Sequence, residues 1–560
     1  MVMRKTGILK KIVSQQQQKK VFEAFYFPNY KITAFFEALS RHEAQLDQFG
    51  QLLKIARNGI DGHYSEDFLV VALTFHVFFQ ISAKNVGKVI AAPENPTLSR
   101  AFRHLSAKLE ISCTHLNRIK KILEPHKTAF SQFILQLEQD YVAIQQQRLP
   151  DYYRAKQLEL GSDLIPGADK ILELVPWHQY FPESIFDGND YYSPMLLYKT
   201  FVWSRLLKLD GCLQIRNALH EELDVTNQHY RKLGQHLGFI DTIPGKSTLY
   251  EFFYQLKEEI LFQTIETHAR FLIRRNTAEP LILTVDSSAL RGKEHDPGFS
   301  PGTTERSTRK KTHKIHAVCD GVGIPLLIHR TQGELHDTQG FEQYKEGLQR
   351  LKKIAEEEGR SVLGLALDAG FASTEILTWI EQDLHITPFP WPKTHRGKAI
   401  QAFIHSLENL RKRFRELKQL KCDVSPDALL QDKDYKVRLQ ESQALCEKLL
   451  QSEAPYDRLI ANFFLKIGIH EWFTVYRRRG TIEGTFGILK TCYALLKRTP
   501  NQPLPVIGKE HIQKHVGFVI LAMQITALYR YLMLQKDTGL LKPSLAFSLK
   551  ELELDVECKA

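Results

Sequence analysis

The sequence has few cysteines and no pairing pattern among them. Its 560 residues include seven cysteines, all scattered singly, with no CxxC and no Cys/His spacing of the kind that binds zinc. This excludes a disulfide scaffold or a zinc finger as the basis of the fold, and it predicts reduced thiols in a cytoplasmic protein.

Long apolar runs and a secretion signal are also lacking. The first residues, MVMRKTGILKKIVSQQQQKK, are basic but contain no apolar segment like that of a signal peptide. The most apolar stretches are interrupted by His76 and Gln80 in one place, and by Gln524 and Arg530 in another. We therefore expect a chain that is neither exported nor inserted in a membrane.

Acidic residues are fewer than basic residues in this sequence. Lys and Arg number 75 against 64 Asp and Glu, which gives a formal net charge of +11 at pH 7. A basic chain favours a polyanionic partner, although basicity alone does not identify one. The length exceeds what one hydrophobic core usually supports, so we expect about two to four domains.

The first half of the chain, residues 1 to about 270, has the apolar spacing of amphipathic helices, as in LLYKTFVWSRLLKL. Two parts of it resemble each other. YSEDFLVVALTFHVFF leads to PTLSRAFRHL, and YYSPMLLYKTFVWSRLL leads to STLYEFFYQL, with Thr, Leu, Phe and Leu at matching offsets in the second strings. An internal repeat and chance similarity between amphipathic helices both account for this pattern.

From about residue 280 the sequence changes to short β-rich runs such as LILTVDSS, THKIHAVCDGVG, IPLLIHRTQGE and SVLGLALDAGF. Helical segments alternate with some of these runs, which predicts a mixed α/β sheet. Residues from about 395 to 465 are charged and helical, with the basic run RKRFRELKQLK. That run is either a solvated helix face or a surface that contacts phosphates.

Two aspartates end apolar runs in this second half. Asp286 follows LILTV and Asp368 follows VLGLAL. We expect both at one edge of one sheet, where paired carboxylates become a candidate site for a divalent cation. Taken singly, each could instead be a turn or capping residue, and we expect Ser287 and Ser288 to form a turn.

The segment YRRRGTIEGTFGILK carries the most informative pattern. On an α-helix at about 100° per residue, four polar residues fall within roughly 60° of one another. These are Tyr476, Arg479, Glu483 and Lys490. Ile482, Phe486 and Leu489 form an adjoining apolar face for burial, and three glycines suggest close approach, for example by a nucleic-acid backbone.

The spacing of these four residues, Y-(2)-R-(3)-E-(6)-K, resembles the YREK signature of DDE transposases of bacterial insertion sequences, in the insertion sequence 4-like group. VDSSAL, KTHKIHAVCDGVGIPL, GELHDTQ and LALDAGF extend the similarity over most of residues 280 to 530. The segment from about 190 to 258, ending in PGKSTLYEFFYQL, is similar to the helical N-terminal domain that many such transposases carry.

The resemblance implies a fold class and a domain order. We expect an α/β chain with a ribonuclease H-like mixed-sheet catalytic core, a helical insertion, and an all-α N-terminal region before the core. The expected domains are a helical region at 1–150 that could partly repeat the next, a DNA-end-binding helical domain at 151–275, the core at 276–395 and 466–535, the insertion at 396–465, and a tail at 536–560.

The resemblance also implies a mechanism. Asp286, Asp368 and Glu483 would hold two Mg²⁺ or Mn²⁺ ions, about 4 Å apart, that serve DNA cleavage and strand transfer. Tyr476, Arg479 and Lys490 would hold DNA phosphates near the cleaved end.

Other candidate residues have more than one interpretation. His336 and Asp337 match a pair common in these transposases, although Asp337 could simply cap a helix beginning near Thr338. Three lysines in ERSTRKKTHK could contact DNA or occupy a solvated hairpin tip. They are Lys310, Lys311 and Lys314.

The expected partners are the terminal inverted repeats and target DNA, bound by a DNA-bridged homodimer without a membrane, in the bacterial cytoplasm at the nucleoid. End recognition is expected near RKLGQHLGF and STLYEFFYQL, as a helix-turn-helix or as helices that only pack together. The main alternative function is a decayed or domesticated transposase that only binds DNA, and a second is a ribonuclease H-fold nuclease without strand transfer. An aspartyl-phosphate phosphatase is excluded because Ser288 occupies the place of its second aspartate.

Overall fold

The computed structural model describes the chain in segments, and all structural statements concern these residues. They are 20–21, 27–56, 64–93, 95–156, 164–182, 192–209, 211–220, 222–226, 229–232, 234, 237–239, 242–275, 280–292, 300–304, 308–333, 335–394, 397–420, 426–493, 495 and 504–534. They divide into two compact units, one mainly within Met1–Ile260 and the other mainly within Leu261–Tyr531.

The first unit is predominantly helical, as its amphipathic spacing predicts. Its helices are α1 (Asn29–Ser40), α2 (Glu43–Ile55), α3 (Glu66–Phe78), α4 (Ala83–Ala91), α5 (Pro96–Arg103), α6 (Cys113–Leu123), α7 (Lys127–Lys156), α8 (Leu164–Leu172), α9 (Trp177–Tyr180), α10 (Pro194–Leu206), α11 (Cys212–Leu219) and α12 (Lys246–Gln255). Three short strands, β1 (Lys20–Val21), β2 (Glu222–Thr226) and β3 (His229–Lys232), form a small sheet in the order β1-β3-β2.

The two similar sequence stretches fold in the same way at several points. Helices α3 and α10 both begin after a serine, Ser65 or Ser193, whose side chain accepts a backbone N–H three residues on. Both are followed by a residue with positive φ at the same distance from that serine, Gln80 or Lys208. Such a residue ends a helix because the left-handed conformation stops its hydrogen-bond pattern. The two stretches therefore share the start of a helix and the conformation that follows its end.

The second unit holds the larger sheet. Its elements are α13 (Glu258–Arg274), β4 (Leu281–Arg291), β5 (Ser300–Thr304), β6 (Thr308–Asp320), β7 (Pro325–Gln332), α14 (Asp337–Phe341), α15 (Lys345–Glu357), β8 (Val362–Leu367), α16 (Thr374–Gln382), β9 (Thr387–Pro390), α17 (Lys398–Leu420), α18 (Pro426–Gln431), α19 (Lys433–Leu449), α20 (Pro455–Ile467), α21 (Ile469–Tyr476), α22 (Gly480–Cys492) and α23 (Lys509–Leu534).

The larger sheet has six strands and mixed direction. Its order is β5-β6-β4-β8-β9, and β7 also pairs with β6. β6 is antiparallel to β4, β5 and β7, whereas β4, β8 and β9 run parallel. Helical segments separate β7, β8 and β9 along the chain, as parallel connections require. This is the predicted α/β, ribonuclease H-like core, and the fold class is confirmed.

A buried helix completes this core. Most residues of α23 from Ile512 to Leu528 are almost inaccessible to solvent. The side chain of Gln524 donates to the backbone carbonyls of Ile265 on α13 and Pro325 on β7, so a buried amide is satisfied by two elements at once. Gly517 allows the close approach, because a Cβ there would lie 2.2 Å from the Leu261 side chain.

The segment between β9 and α21 is helical, as expected for the insertion. Helices α17, α19 and α20 pack through buried residues that include Phe403, Tyr435, Cys446 and Phe464. Within the basic run, Arg413 pairs with Asp432 at 2.7 Å. Part of the positive charge of the run is therefore neutralised within the insertion.

No single helix in the described residues is both long and apolar enough to cross a membrane. Helices α3 and α4 together have the length and apolar composition of a membrane span, but they are bent by 112° at the break between them.

Candidate functional site

Two parallel strands bring Asp286 and Asp368 to the same edge of the sheet. The last parallel pair joins Val285 on β4 to Leu367 on β8, and each aspartate is the next residue. Asp368 follows the end of β8 and precedes a 3₁₀ turn, Ala369–Phe371. The placement predicted from the two apolar runs is therefore what the sheet register produces.

The residues after Asp286 do not form the expected turn. β4 continues to Arg291, and Ser287 and Ser288 pair with His316 and Ile315 on antiparallel β6. The turn prediction was wrong because β6 extends past the end of β8 and supplies backbone partners for two polar residues. Asp286 thus lies inside a strand, where its backbone is held more firmly than in a turn.

Glu483 is brought to the site by α22. The buried face of this helix contains Ile482, Phe486 and Leu489, as the sequence pattern predicts. Thr485 fixes the helix against the turn between β6 and β7, because its hydroxyl donates to the Gly323 carbonyl at 2.5 Å. With this face held, Glu483 in the first turn of α22 is exposed.

Arg479 lies between the three acids. It belongs to a 3₁₀ turn, Arg477–Arg479, that joins α21 to α22. One terminal nitrogen of its guanidinium lies 2.9 Å from an Asp286 oxygen and 3.3 Å from an Asp368 oxygen, and the other lies 3.0 Å from a Glu483 oxygen. The Arg479 side chain is therefore directed at the three carboxylates.

The cluster has more negative than positive charge. Three carboxylates face one guanidinium, and their side chains differ in exposure: 12% for Asp286, 43% for Asp368 and 57% for Glu483. Burial raises the pKa of Asp286 to about 6, assisted by Asp368 and Glu483, while Arg479 acts in the opposite direction. An additional cation would relieve this excess.

The donor chemistry of the cluster suits a hard divalent cation. Carboxylate oxygens are the ligands that Mg²⁺ and Mn²⁺ prefer, and two of the three acids are open to solvent. In the arrangement described, no three His, Cys, Asp or Glu side chains of the described residues are positioned to hold a metal ion. The three carboxylates are suitable ligands for such a cation, but the Arg479 guanidinium occupies the space between them.

Tyr476 is buried beside the cluster. Its ring stacks on Trp472 at 4.9 Å between centroids and lies 5.3 Å from Trp391. Burial raises the pKa of Tyr476 above its ordinary value, so it stays protonated. Trp391 is anchored by its backbone N–H, which donates to the Leu367 carbonyl at 2.9 Å. Its indole also lies 5.8 Å from the Arg411 guanidinium, and sequence reasoning did not single out this tryptophan.

Lys490 reaches the site from the last turn of α22. Its ammonium donates to the Ser288 hydroxyl at 2.7 Å. Ser288 is on β4, two residues after Asp286, so Lys490 adds a positive charge at the same strand. All four residues of the motif therefore lie at or next to the two aspartates.

Asp337 forms a second set of contacts beside the acids. It accepts a hydrogen bond from the Ser287 hydroxyl at 2.8 Å and pairs with Lys314 at 2.6 Å. It does not cap α14, because His336 occupies the N-cap position. Gly370 gives it room, since a Cβ there would lie 2.6 Å from an Asp337 oxygen. Asp337 thus links β4 and β6 and lies against the 3₁₀ turn that follows β8.

The three lysines predicted to contact DNA lie within β6 rather than in a loop tip. Lys310 pairs with Gly302 and Lys311 with Pro301 on β5, a strand that the sequence did not predict. The side chains of Lys310 and Lys311 lie outside the described residues, whereas Lys314 contacts Asp337.

Comparison with known proteins gives one match. Residues 277–502 match the family model described as Transposase DDE domain. No curated protein and no solved structure matches the chain. The match contains Asp286, Asp368, Arg479 and Glu483, and it covers less than half of the chain. Residues 277–502 are therefore similar to a transposase DDE domain.

Proposed function

We propose that this chain is a DNA transposase that cleaves DNA at the ends of its own insertion sequence and joins those ends to target DNA. The observation that carries the proposal is the meeting of Asp286, Asp368 and Glu483 around one guanidinium, in a segment similar to a transposase DDE domain. The YREK spacing supports its placement in the insertion sequence 4-like group.

Asp286, Asp368 and Glu483 would hold Mg²⁺ or Mn²⁺, two ions per site. When bound, these ions activate the attacking oxygen and stabilise the leaving oxygen of the phosphodiester. The strand register positions the first two acids, and the buried face of α22 positions the third, so these ligands would stand on rigid elements.

Arg479 would have two sets of partners. Without a metal it neutralises part of the carboxylate charge, and its contacts at 2.9 to 3.3 Å hold the three acids near one another. Guanidinium groups bind phosphates through the same bidentate geometry that they use for carboxylates. We expect Arg479 to exchange its carboxylate partners for a DNA phosphate when the site is loaded.

Lys490 and Tyr476 would complete the DNA contacts. Lys490 donates to the Ser288 hydroxyl on the strand of Asp286, and this contact supports a role for its charge at the scissile phosphate. Tyr476 is protonated and buried, so its role would be to pack against Arg479 and position it. His336, Asp337, Lys310, Lys311 and Lys314 remain auxiliary candidates.

The expected partners are the inverted repeats and the target DNA, bound by a homodimer that the DNA bridges. The place of action would be the nucleoid of the bacterial cytoplasm, because that is where its DNA lies.

The test uses a plasmid carrying both DNA flanks of the gene, with Mg²⁺ or Mn²⁺. We expect the unmodified chain to release and join the ends, and Glu483→Gln to reduce both products by at least about a hundredfold, because it removes one charged ligand. Glu375→Gln, which changes an exposed glutamate on α16, is the matched control and should leave the products unchanged.

The products distinguish the alternatives. Ends joined to new DNA identify a transposase, whereas cut ends without joining identify a nuclease. Specific binding without cleavage under either metal would overturn the proposal and favour a protein that only binds DNA.

A further inference from the structure

Helices α4 and α5 form a compact pair at the surface of the first unit. Residues 92–95 join them, and the described part of this connection is fixed from both sides. The Asn95 side chain donates to the Val89 carbonyl at 2.8 Å, and the Ser99 hydroxyl donates to the Ile90 carbonyl at 2.7 Å. The start of α5 is thus tied directly to the end of α4.

Apolar contacts hold the same pair to the core. Val86, Val89 and Ile90 on α4, and Leu98 and Phe102 on α5, are fully buried. Two short helices joined by about four residues, with one face buried and the turn fixed, have the construction of a helix-turn-helix. In such a motif the second helix and its flanks contact the DNA.

The outward faces of the two helices carry only positive charge. Lys84 and Lys88 are exposed on α4, and Arg100 and Arg103 are exposed on α5. The one acid in residues 83–104, Glu94, lies outside the described residues. Arg100 and Arg103 form no ion pair with any described residue, in contrast to Arg41 and Arg148, which are bound to carboxylates.

The second copy of the arrangement differs at the equivalent place. There α11 and α12 are separated by β2 and β3, and α12 exposes a pair of tyrosines, Tyr250 and Tyr254, whose rings lie 4.2 Å apart. The two copies therefore keep the same buried positions, including Leu98 and Leu249, but present different surfaces. The first copy exposes four cations and no described acid on these helices, whereas α11 and α12 expose Arg216, Lys246 and the acid Glu251.

We propose that α4 and α5 form a helix-turn-helix that binds duplex DNA, with Arg100 and Arg103 contacting phosphates. The inference rests on DNA being the substrate of the chain, and it assigns a DNA-binding role to a region outside the transposase DDE match. Charge complementarity selects the occupant, since four cations on adjacent helices suit a polyanion.

The test measures binding of the full chain to fluorescein-labelled duplexes, by anisotropy over a series of salt concentrations. One duplex carries the flanks of the gene and the other an unrelated sequence. For Arg100→Ala/Arg103→Ala we expect affinity about tenfold lower at about 0.1 M salt, and a slope of log K against log salt less steep by about 2.

Two further variants show whether the effect comes from phosphate contacts. Arg41→Ala/Arg148→Ala removes the same charge from two arginines that are 45% and 44% exposed but paired, and it should leave affinity and slope unchanged. Arg100→Lys/Arg103→Lys keeps the charge and should retain most of the slope. Circular dichroism melts of each variant separate lost binding from lost folding.

Equal binding by Arg100→Ala/Arg103→Ala and the unmodified chain would overturn this inference alone, because plasmid cleavage reports the acid site separately. A slope that falls as much in the Arg41 and Arg148 control would also overturn it. A chain that binds no duplex at all would contradict both this inference and the proposed function.

Discussion

Each unit of the chain contains a cluster of carboxylates and cations, and the two clusters differ in charge balance and exposure. In the first unit, Lys31 and Lys199 pair with Asp169 and Glu173, two cations with two acids, and the four side chains are 17% exposed or less. In the second unit, Arg479 is the one cation among the described residues that forms ion pairs with Asp286, Asp368 and Glu483, and the last two acids are 43% and 57% exposed.

The pKa values follow this difference. Burial alone would raise the pKa of Asp169 and Glu173, but the two lysines outweigh it and hold both below their ordinary values. At Asp286 the balance is reversed, and its pKa rises to about 6. A balanced, enclosed cluster is complete within the protein, whereas an unbalanced, open one has capacity for a further cation. We therefore propose a structural role for the first cluster and a functional role for the second.

The largest effect is expected from breaking the balanced cluster. Lys199→Met leaves the acids with one lysine in a buried place, so the free energy of unfolding in urea should fall by about 3 kcal/mol. Mg²⁺ should not restore it. Arg41→Ala, at an exposed pair, is the control and should cost less than about 1 kcal/mol. Restoration of Lys199→Met by Mg²⁺ would remove the distinction between the clusters.

A smaller effect is expected at Gly487, one turn beyond Glu483 on the exposed side of α22. A Cβ added there meets no atom within 4 Å. Gly487→Ala should therefore raise stability by up to about 1 kcal/mol through helix propensity. If a DNA backbone passes this face, the same methyl group should weaken DNA cleavage. A variant that is more stable and equally active would show that nothing approaches Gly487.

The sequence predicted those parts of the site that depend on local pattern. Apolar runs ending at Asp286 and Asp368 identified two parallel strand ends, and the motif spacing identified Glu483. Burial of Ile482, Phe486 and Leu489 followed from helical periodicity. Local pattern suffices here because a strand end and a helix face are determined by the nearest residues in the chain.

Contacts between distant segments could not be predicted in this way. The helical spacing predicted that Arg479 lies on the same side as Glu483, but it did not predict that Arg479 precedes α22 in a 3₁₀ turn or contacts Asp286 on β4. To predict the strand pairing of Ser287 and Ser288, one would have to know how far β6 extends. To predict the partners of Asp337, one would have to know that β4, β6 and Gly370 lie close together. Such features depend on tertiary packing, which overrides local preference.

We propose that the three acids form a cation site and that Arg479 occupies the position of the cation when no metal is bound. Calorimetric titration of the full chain with Mn²⁺ would compare the unmodified chain, Arg479→Gln and Asp286→Asn/Asp368→Asn. We expect measurable binding by the unmodified chain, tighter binding by Arg479→Gln because the competing guanidinium is gone, and none by the double variant. Binding that is unaffected by loss of both aspartates, or weakened by Arg479→Gln, would contradict it.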